Sequence, residues 1–208
     1  MIPSQEAGIY FLGFGGHARS VADIALAAGV KDMIFVDAQA RQGETFAGFP
    51  TLNLLPAPLA VGWSVFPAMG DNLGRRAAFE LQDISVKLIS PTATIGILAQ
   101  VGVGTMVGHH AHLGPAAVVG CGVIINTGAI VEHECQVGDF SHISVNATVA
   151  GRARIGSNVF LGAGATVIDK VSICDNVVVG AGATVVDHIL APGTYVGTPA
   201  RPVRNRSS

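Results

Sequence analysis

The chain has 208 residues and a net charge of −2; half of it is apolar, only 12% is charged, and 27 residues are glycine. Abundant small and branched apolar residues exclude intrinsic disorder, and so few charges argue against a helical bundle, which needs a charged outer face. With no basic run there is no electrostatic footprint for nucleic acid, and every long apolar stretch is broken by glycine or polar residues, against a membrane span.

The N-terminal residues 1–8 lack a basic segment leading into an apolar one, so no secretory leader is expected. Residues 9–12 form an apolar run that predicts a strand, ending in Gly13-Phe14-Gly15-Gly16-His17. Residues 18–28 place Val21, Ile24, Ala25 and Ala28 on one side of a helix that Gly29 terminates. Residues 33–36 predict a second strand ending at Asp37, and residues 65–69 a third, weakened by Pro67, that runs into Gly70-Asp71-Asn72. Residues 73–81 read as a helix and 86–89 as a strand. Strand, glycine turn, helix, strand and acid is the order of a Rossmann-like half domain. Its glycines let a ligand approach the backbone, and the helix start offers N–H groups to phosphate. Asp37 stands where an acid can accept hydrogen bonds from a ribose or base. The turn keeps only part of G-x-G-x-x-G, because Ala18 stands at the third glycine, so a tight turn without ligand stays open beside the binding reading.

From Ile89 the chain changes period. Every sixth residue to Val185 is Ile, Leu or Val, seventeen positions without a slip, and the residue two earlier, from Ala93 to Ala183, is Ala, Thr, Val, Cys or Ser. Neither a helix nor a flat strand repeats at six. A three-sided coil of short parallel strands does, with the aliphatic and the small residue inside and a glycine after the aliphatic near each corner. Residues 89–190 then make between five and six coils around one continuous core. Within this frame His133 falls two positions after inward Val131, near a corner, facing out. Glu132 and Glu134 flank it, which suits either a histidine base with a carboxylate to orient it or a solvated surface histidine. Cys135 takes a small inward position and reads as core. Cys121, Cys135 and Cys174 form no CxxC pair, which points to free thiols in a reducing, cytoplasmic setting. His142 precedes inward Ile143 and belongs on an outer face. His109, His110 and His112 invite a metal reading, but Ala111 points inward, His109 sits near a corner and His110 and His112 lie on the outer wall. Three histidines of one strand rarely converge on one ion, so no metal is expected, and a buried intersubunit cluster or a wall of the active-site cleft is the reading instead.

The two halves together resemble the sialic acid O-acetyltransferase/nucleotide-aminosugar N-acetyltransferase family of hexapeptide-repeat acyltransferases, of the bacillosamine-pathway type. The resemblance covers essentially the whole chain. It is carried by Gly13-Phe14-Gly15-Gly16-His17, Phe35-Val36-Asp37, Met69-Gly70-Asp71-Asn72, the segment Asn126 to Cys135, Phe140-Ser141-His142-Ile143-Ser144 and Gly197-Thr198-Pro199-Ala200. It implies an N-terminal Rossmann-like nucleotide-sugar domain (1–88), a left-handed parallel β-helix (89–190) and a C-terminal tail (191–208). It also implies a homotrimer with active sites between neighbouring prisms, and acetyl-CoA as acyl donor. By the same resemblance His133 is the base and Glu134 its partner. Asn126, His142, Gly151, Ala163 and Ala181 meet acetyl-CoA, with Gly151 N–H as a plausible oxyanion donor. Gly15, Gly16, His17, Asp37, Ala38, Gly70 and Asn72 meet the nucleotide sugar, and Ala38, where some relatives carry a second acid, leaves the nucleobase open. The expected reaction is direct acetylation of a nucleotide-linked 4-amino-4,6-dideoxysugar in bacterial surface-glycan synthesis. O-acetylation of a sialic-acid-like sugar is the alternative, and a β-helical zinc enzyme of the carbonic anhydrase type or a non-catalytic nucleotide-binding trimer are alternatives of another class. The arginines Arg201, Arg204 and Arg206 near the C-terminus read either as a solvated end or as contacts to the 3′-phosphate of CoA.

Overall fold

The computed structural model describes residues 7–203; the expectation about a leader at residues 1–8 rests mostly, and that about Arg204 and Arg206 wholly, on residues outside them. The first part builds a five-stranded sheet in the order β3-β4-β2-β1-β5. Its elements are β1 (Gly8–Leu12), α1 (Gly16–Ala27), β2 (Asp32–Val36), β3 (Thr45–Phe46), β4 (Phe49–Leu52), β5 (Ser64–Pro67) and α2 (Asn72–Glu80). β1 lies inside the sheet and pairs in parallel with β2 and β5. Tyr10 and Phe11 point to opposite faces and are both fully buried, which is why this strand is a continuous apolar run without alternation. α1 stops at Gly29, whose φ of 92° is left-handed, and the next amide, Val30 N–H, reaches back to Ala25 O at 2.9 Å. The expected apolar side of α1 is corrected at one position: Ala28 caps the helix end and is exposed, and Ala22 is buried instead.

The β3–β4 hairpin was not foreseen. Its two central residues, Ala47 (φ 51°) and Gly48 (φ 85°), both adopt positive φ, the geometry of a two-residue hairpin turn. Ala at the first of these positions is a weak turn signal, so the strands flanking it left no mark in the sequence.

From Leu88 the chain winds into a prism with three parallel faces. The first carries Met106–Val107, Ile124–Ile125, His142–Ile143 and Phe160–Leu161; the second His112–Leu113, Ile130–Val131 and Thr148–Val149; the third Val118–Val119, Gln136–Val137 and Arg154–Ile155. Each strand pairs with the one 18 residues on, as in Ile125↔Ile143 and Val131↔Val149, so three hexapeptides make one coil. The aliphatic of each hexapeptide and the small residue before it fill one apolar column, from Val107 and Ala111 to Ala183 and Val185. Each fully buried Val, Leu or Ile contributes about 1.5–3 kcal/mol before chain entropy is counted. Where the small residue is a hydroxyl, a carbonyl of the coil satisfies it: Thr105 Oγ1 donates to Gly120 O and Ser141 Oγ to Gly156 O, both at 2.8 Å.

Three details correct the sequence reading. The glycine after each aliphatic is not the bent residue. The left-handed corner falls two positions later, at Glu134 (φ 58°), Asn146 (φ 54°) or Arg152 (φ 62°). The glycine is needed for stacking: a Cβ on Gly102 or Gly138 would lie 2.6 Å from backbone of the coil above. Second, Ile95 in the first coil is 40% exposed, because the adjoining N-terminal layer covers the first face and leaves this end of the column open. Third, residues 191–203 of the C-terminal tail pack onto the prism. Gly193–Val196 pairs in parallel with Val177–Val179 and extends the first face, and Ala200 is buried on the core column.

α1 lies between the sheet and the prism. Val21, Ile24 and Ala25 share one core with Phe11, Phe35 and Phe66 on one side and with Leu88, Met106 and Ile124 of the first face on the other. The glycine turn at the start of α1 is thereby brought against the outside of the coil.

Candidate active site

His133 stands at the corner between the second and third faces, with its side chain 47% exposed. Its Nδ1 lies 3.2 Å from Glu134 Oε2. An ionised carboxylate only accepts, so Nδ1 carries the proton and Nε2 keeps a free lone pair. Nε2 lies over Gly151, one coil on, where a Cβ would sit 2.5 Å away; only glycine leaves the ring this place. The same Glu134 oxygen accepts from Arg152 Nε at 2.8 Å. The hydrogen bond from His133, then Arg152, holds the Glu134 carboxyl below its usual range. At some corners a side chain caps the middle amide: Asn126 Oδ1 accepts from Thr127 N–H at 2.8 Å, and Glu132 Oε2 from His133 N–H at 3.2 Å. Ala150 has no such group. Ala150 N–H and Arg152 N–H bond to Val167 O and His133 O, while Gly151 N–H has no partner among the described residues. Cys135 is fully buried, its Sγ is 3.0 Å from Ala150 O, and burial pushes its thiol pKa up, which leaves it inert as a nucleophile.

A second cluster forms on the first face. His142 points out of the prism as expected, and it is only 7% exposed because the N-terminal layer covers this face. Asn126 Nδ2 donates to His142 Nε2 at 3.1 Å, and His142 Nδ1 donates to Gly70 O at 3.3 Å. The amide orientation is fixed by Thr127, so the tautomer follows from the network. His17 packs on Gly70, with its ring 6.0 Å from that of His142. Asn72 Nδ2 donates to Val159 O at 3.3 Å. Expected sugar-binding residues (His17, Gly70, Asn72) and expected donor-binding residues (Asn126, His142) thus meet along one seam.

At the centre of that seam lies Arg75, 1% exposed, which sequence reasoning missed. Its Nε donates to Gly122 O at 2.6 Å, and its remaining N–H groups to Phe140 O and Asn72 Oδ1 at 2.8 Å and Met69 O at 3.1 Å. Burial lowers its pKa to about 10, and the cation stays charged at neutral pH. Burial first, and then this cation, push His17 down to about 4 and His142 to about 3, so both rings are neutral. Nothing in the sequence separates Arg75 from Arg76, which pairs with Glu80 four residues on at the surface.

One opening lies at the start of α1 and another at the start of α2. A hollow of about 410 Å³ is lined by Phe14, Gly15, Arg19, Asp37 and Arg41, and Ala38 lies exposed beside it. Gly15 and Gly16 are exposed, and a Cβ on either would meet nothing within 4 Å, so the fold itself does not require glycine there. Asp37 is partly committed to the turn, since its oxygens accept from Phe14 N–H at 3.0 Å and Gln39 N–H at 2.9 Å. Arg19 was also missed; its guanidinium stands 5.4 Å from the ring centres of both Phe14 and Phe46. The other opening, of about 360 Å³, runs between Gly70–Leu73 and Asn158, Phe160, Asn176 and Val178. Ala163 and Ala181 follow first-face strands, as Asn126 does, and so stand at the corner between the first and second faces.

The histidine run does not converge. His109 Nε2 donates to Asp23 Oδ2 at 3.1 Å while Nδ1 accepts from Ser90 Oγ at 2.7 Å, which ties α1 to the prism. His112 Nδ1 bonds Thr94 Oγ1 at 2.7 Å, and His110 is exposed. No group of three His, Cys, Asp or Glu is placed to hold a metal ion among the described residues. No helix among them is long and apolar enough to cross a membrane.

Comparison with known proteins agrees with this architecture. Residues 8–81 match the family described as PglD N-terminal domain, and residues 152–187 match bacterial transferase hexapeptide (six repeats). The curated proteins gave no match. Among solved structures, the acetyltransferase domain of PglB from Neisseria gonorrhoeae is 32% identical, with TM-score 0.88, covering 95% of this chain and 100% of that one. The same domain in complex with acetyl coenzyme A is 33% identical, with TM-score 0.86, over 94% and 98% of the two chains. A histidine-to-alanine variant of GDP-perosamine N-acetyltransferase from Caulobacter crescentus, in complex with CoA and GDP-perosamine, is 31% identical, with TM-score 0.86, over 96% and 98%. An α/β domain followed by a hexapeptide-repeat β-helix, at this identity over nearly the full length of both partners, makes the chain an acyltransferase, and it belongs to the sialic acid O-acetyltransferase/nucleotide-aminosugar N-acetyltransferase family.

Proposed function

We propose that the protein transfers an acetyl group from acetyl-CoA to the amine of a nucleotide-linked 4-amino-4,6-dideoxysugar, in the cytoplasm, for bacterial surface-glycan synthesis. The observation that carries this reading is the His133 corner: an exposed imidazole whose Nδ1–H is engaged by Glu134 and whose Nε2 lone pair is free above Gly151. An amine attacking a thioester carbonyl forms the C–N bond, must shed a proton, and expels the thiolate as the C–S bond breaks. His133 Nε2 takes that proton, Glu134 holds the imidazolium that results, and the unpaired Gly151 N–H faces the developing oxyanion. No acyl-enzyme is needed. Relatives solved with acetyl coenzyme A, or with CoA and GDP-perosamine, support both substrate classes. Free Cys121, Cys135 and Cys174 suit a reducing compartment.

In this reading residues 1–88 hold the nucleotide sugar and residues 89–190 the acyl donor. Gly15, Gly16, His17, Asp37, Ala38, Gly70 and Asn72 border the sugar nucleotide; Asn126, His142, Ala163 and Ala181 border the donor arm. One chain does not gather all of these. His133, Glu134 and Gly151 occupy the corner between the second and third faces, whereas Asn126, Ala163 and Ala181 occupy the corner between the first and second. A homotrimer that sets one corner against the other of a neighbouring copy completes the site. The test is CoA release with UDP-, dTDP- and GDP-linked 4-amino-4,6-dideoxysugars and with a sialic-acid-type acceptor, together with a thermal-shift panel of the same ligands. Turnover with one of the amino sugars and a sedimentation mass of three chains is the expected result. Turnover with the hydroxyl acceptor alone, or a catalytically active monomer, would overturn it.

A further inference from the structure

We propose that Arg152 is a positioning residue of the transfer reaction, acting through Glu134 to set the orientation and basicity of His133. The inference rests on the reading of His133 as the base. Glu134 and Arg152 occupy the left-handed position of two stacked corners, one coil apart, and Arg152 N–H bonds to His133 O at 2.9 Å. This stacking delivers the Arg152 Nε to the same carboxylate oxygen, Oε2, that accepts from the His133 ring: 2.8 Å from the guanidinium and 3.2 Å from the imidazole. Two consequences follow from elementary electrostatics. A carboxylate held from both sides loses rotamer freedom, which restrains the imidazole in turn. And a carboxylate alone favours the imidazolium, whereas a guanidinium on the same oxygen offsets that charge and lets the ring give up its proton between turnovers. The remaining charges around the corner are Glu132, which caps the His133 amide at 3.2 Å, and Asp169 with Lys170 on the coil above, 3.8 Å from each other. The coil below contributes Gly114, Pro115 and Ala116, with no charge.

The experiment follows the His133 ring protons by NMR through a pH titration, assigned by comparison with His133→Gln, and measures the pH profile of kcat/KM in parallel. Arg152→Ala is expected to move both the His133 midpoint and the acid limb upward by about half a pH unit, about threefold in rate on the acid side. Arg152→Lys, which keeps the charge, is expected to restore most of it. In a Glu134→Gln background Arg152→Ala is expected to have little further effect, as for two groups acting in series. No shift in Arg152→Ala, or a shift of the same size with and without Glu134, would overturn the proposal. Failure of the wild type to acetylate any amino sugar would overturn the functional reading instead, because the NMR titration measures the coupling without turnover.

Discussion

Two histidines nine residues apart on the same coil have opposite surroundings. His133 sits at a solvent-facing corner, with a carboxylate on one nitrogen and the other free. His142 sits on a face roofed by the N-terminal layer, with both nitrogens engaged and a buried guanidinium nearby that helps hold it neutral to about pH 3. The repeat makes the two positions equally outward. What separates them is which side of the prism the rest of the chain covers. In the proposed mechanism the open corner serves proton transfer, while the neutral ring on the covered face joins two layers; a charge that would help at one would be costly at the other.

The sharpest way to break this contrast is to remove the two rings in turn. His133→Ala is expected to lower kcat by about 10³-fold, in the range for loss of a general base, with an unchanged melting temperature; steady-state CoA release checks it. A fall of only a few fold would place the base elsewhere. The next effect belongs to the covered face. Arg75→Met leaves the carbonyls of Gly122, Phe140 and Met69 without their donor and is expected to cost about 3 kcal/mol of stability. Urea unfolding reads this directly, and a loss below about 1 kcal/mol would show that the seam does not depend on the cation.

The smallest of the three effects, counted for a single ring, is a pH dependence. The folded chain keeps His17 and His142 neutral down to about 4 and about 3, against 6.5 for an unperturbed ring. Between those values the unfolded chain binds more protons, so stability is complete above about pH 6.5 and is lost as pH falls. At pH 5 the loss is about 2 kcal/mol for each ring. Melting temperatures at pH 7 and pH 5 for the wild type and His142→Gln check it, the variant being expected to lose less on acidification. An equal loss in both would mean that His142 is not held neutral.

Much of this molecule is legible in the sequence, for reasons that differ between its halves. A period of six kept over seventeen positions admits one architecture, since only a three-sided coil returns the same face inward every sixth residue. The inward positions of Val131, Cys135 and Ile143 and the outward positions of His133 and His142 follow from it. In the first half, the strands at β1, β2 and β5 and both helices were legible from apolar runs and their terminators. The β3–β4 hairpin was not, because its turn rests on backbone angles at Ala47 that the residue type does not announce.

The sequence by itself determined the prism, the glycine turn and the outward placement of His133 and His142, because these depend on residues near one another along the chain. Only the tertiary structure decided that His142 is covered, that Arg75 rather than Arg76 is the buried cation, and that Arg152 shares an oxygen with His133. Burial and charge are set by what arrives from elsewhere: Arg75 meets Phe140 from 65 residues away and Arg152 meets Glu134 from 18 residues away. A local pattern fixes where a side chain points, and the folding of distant segments onto it fixes what it can do there.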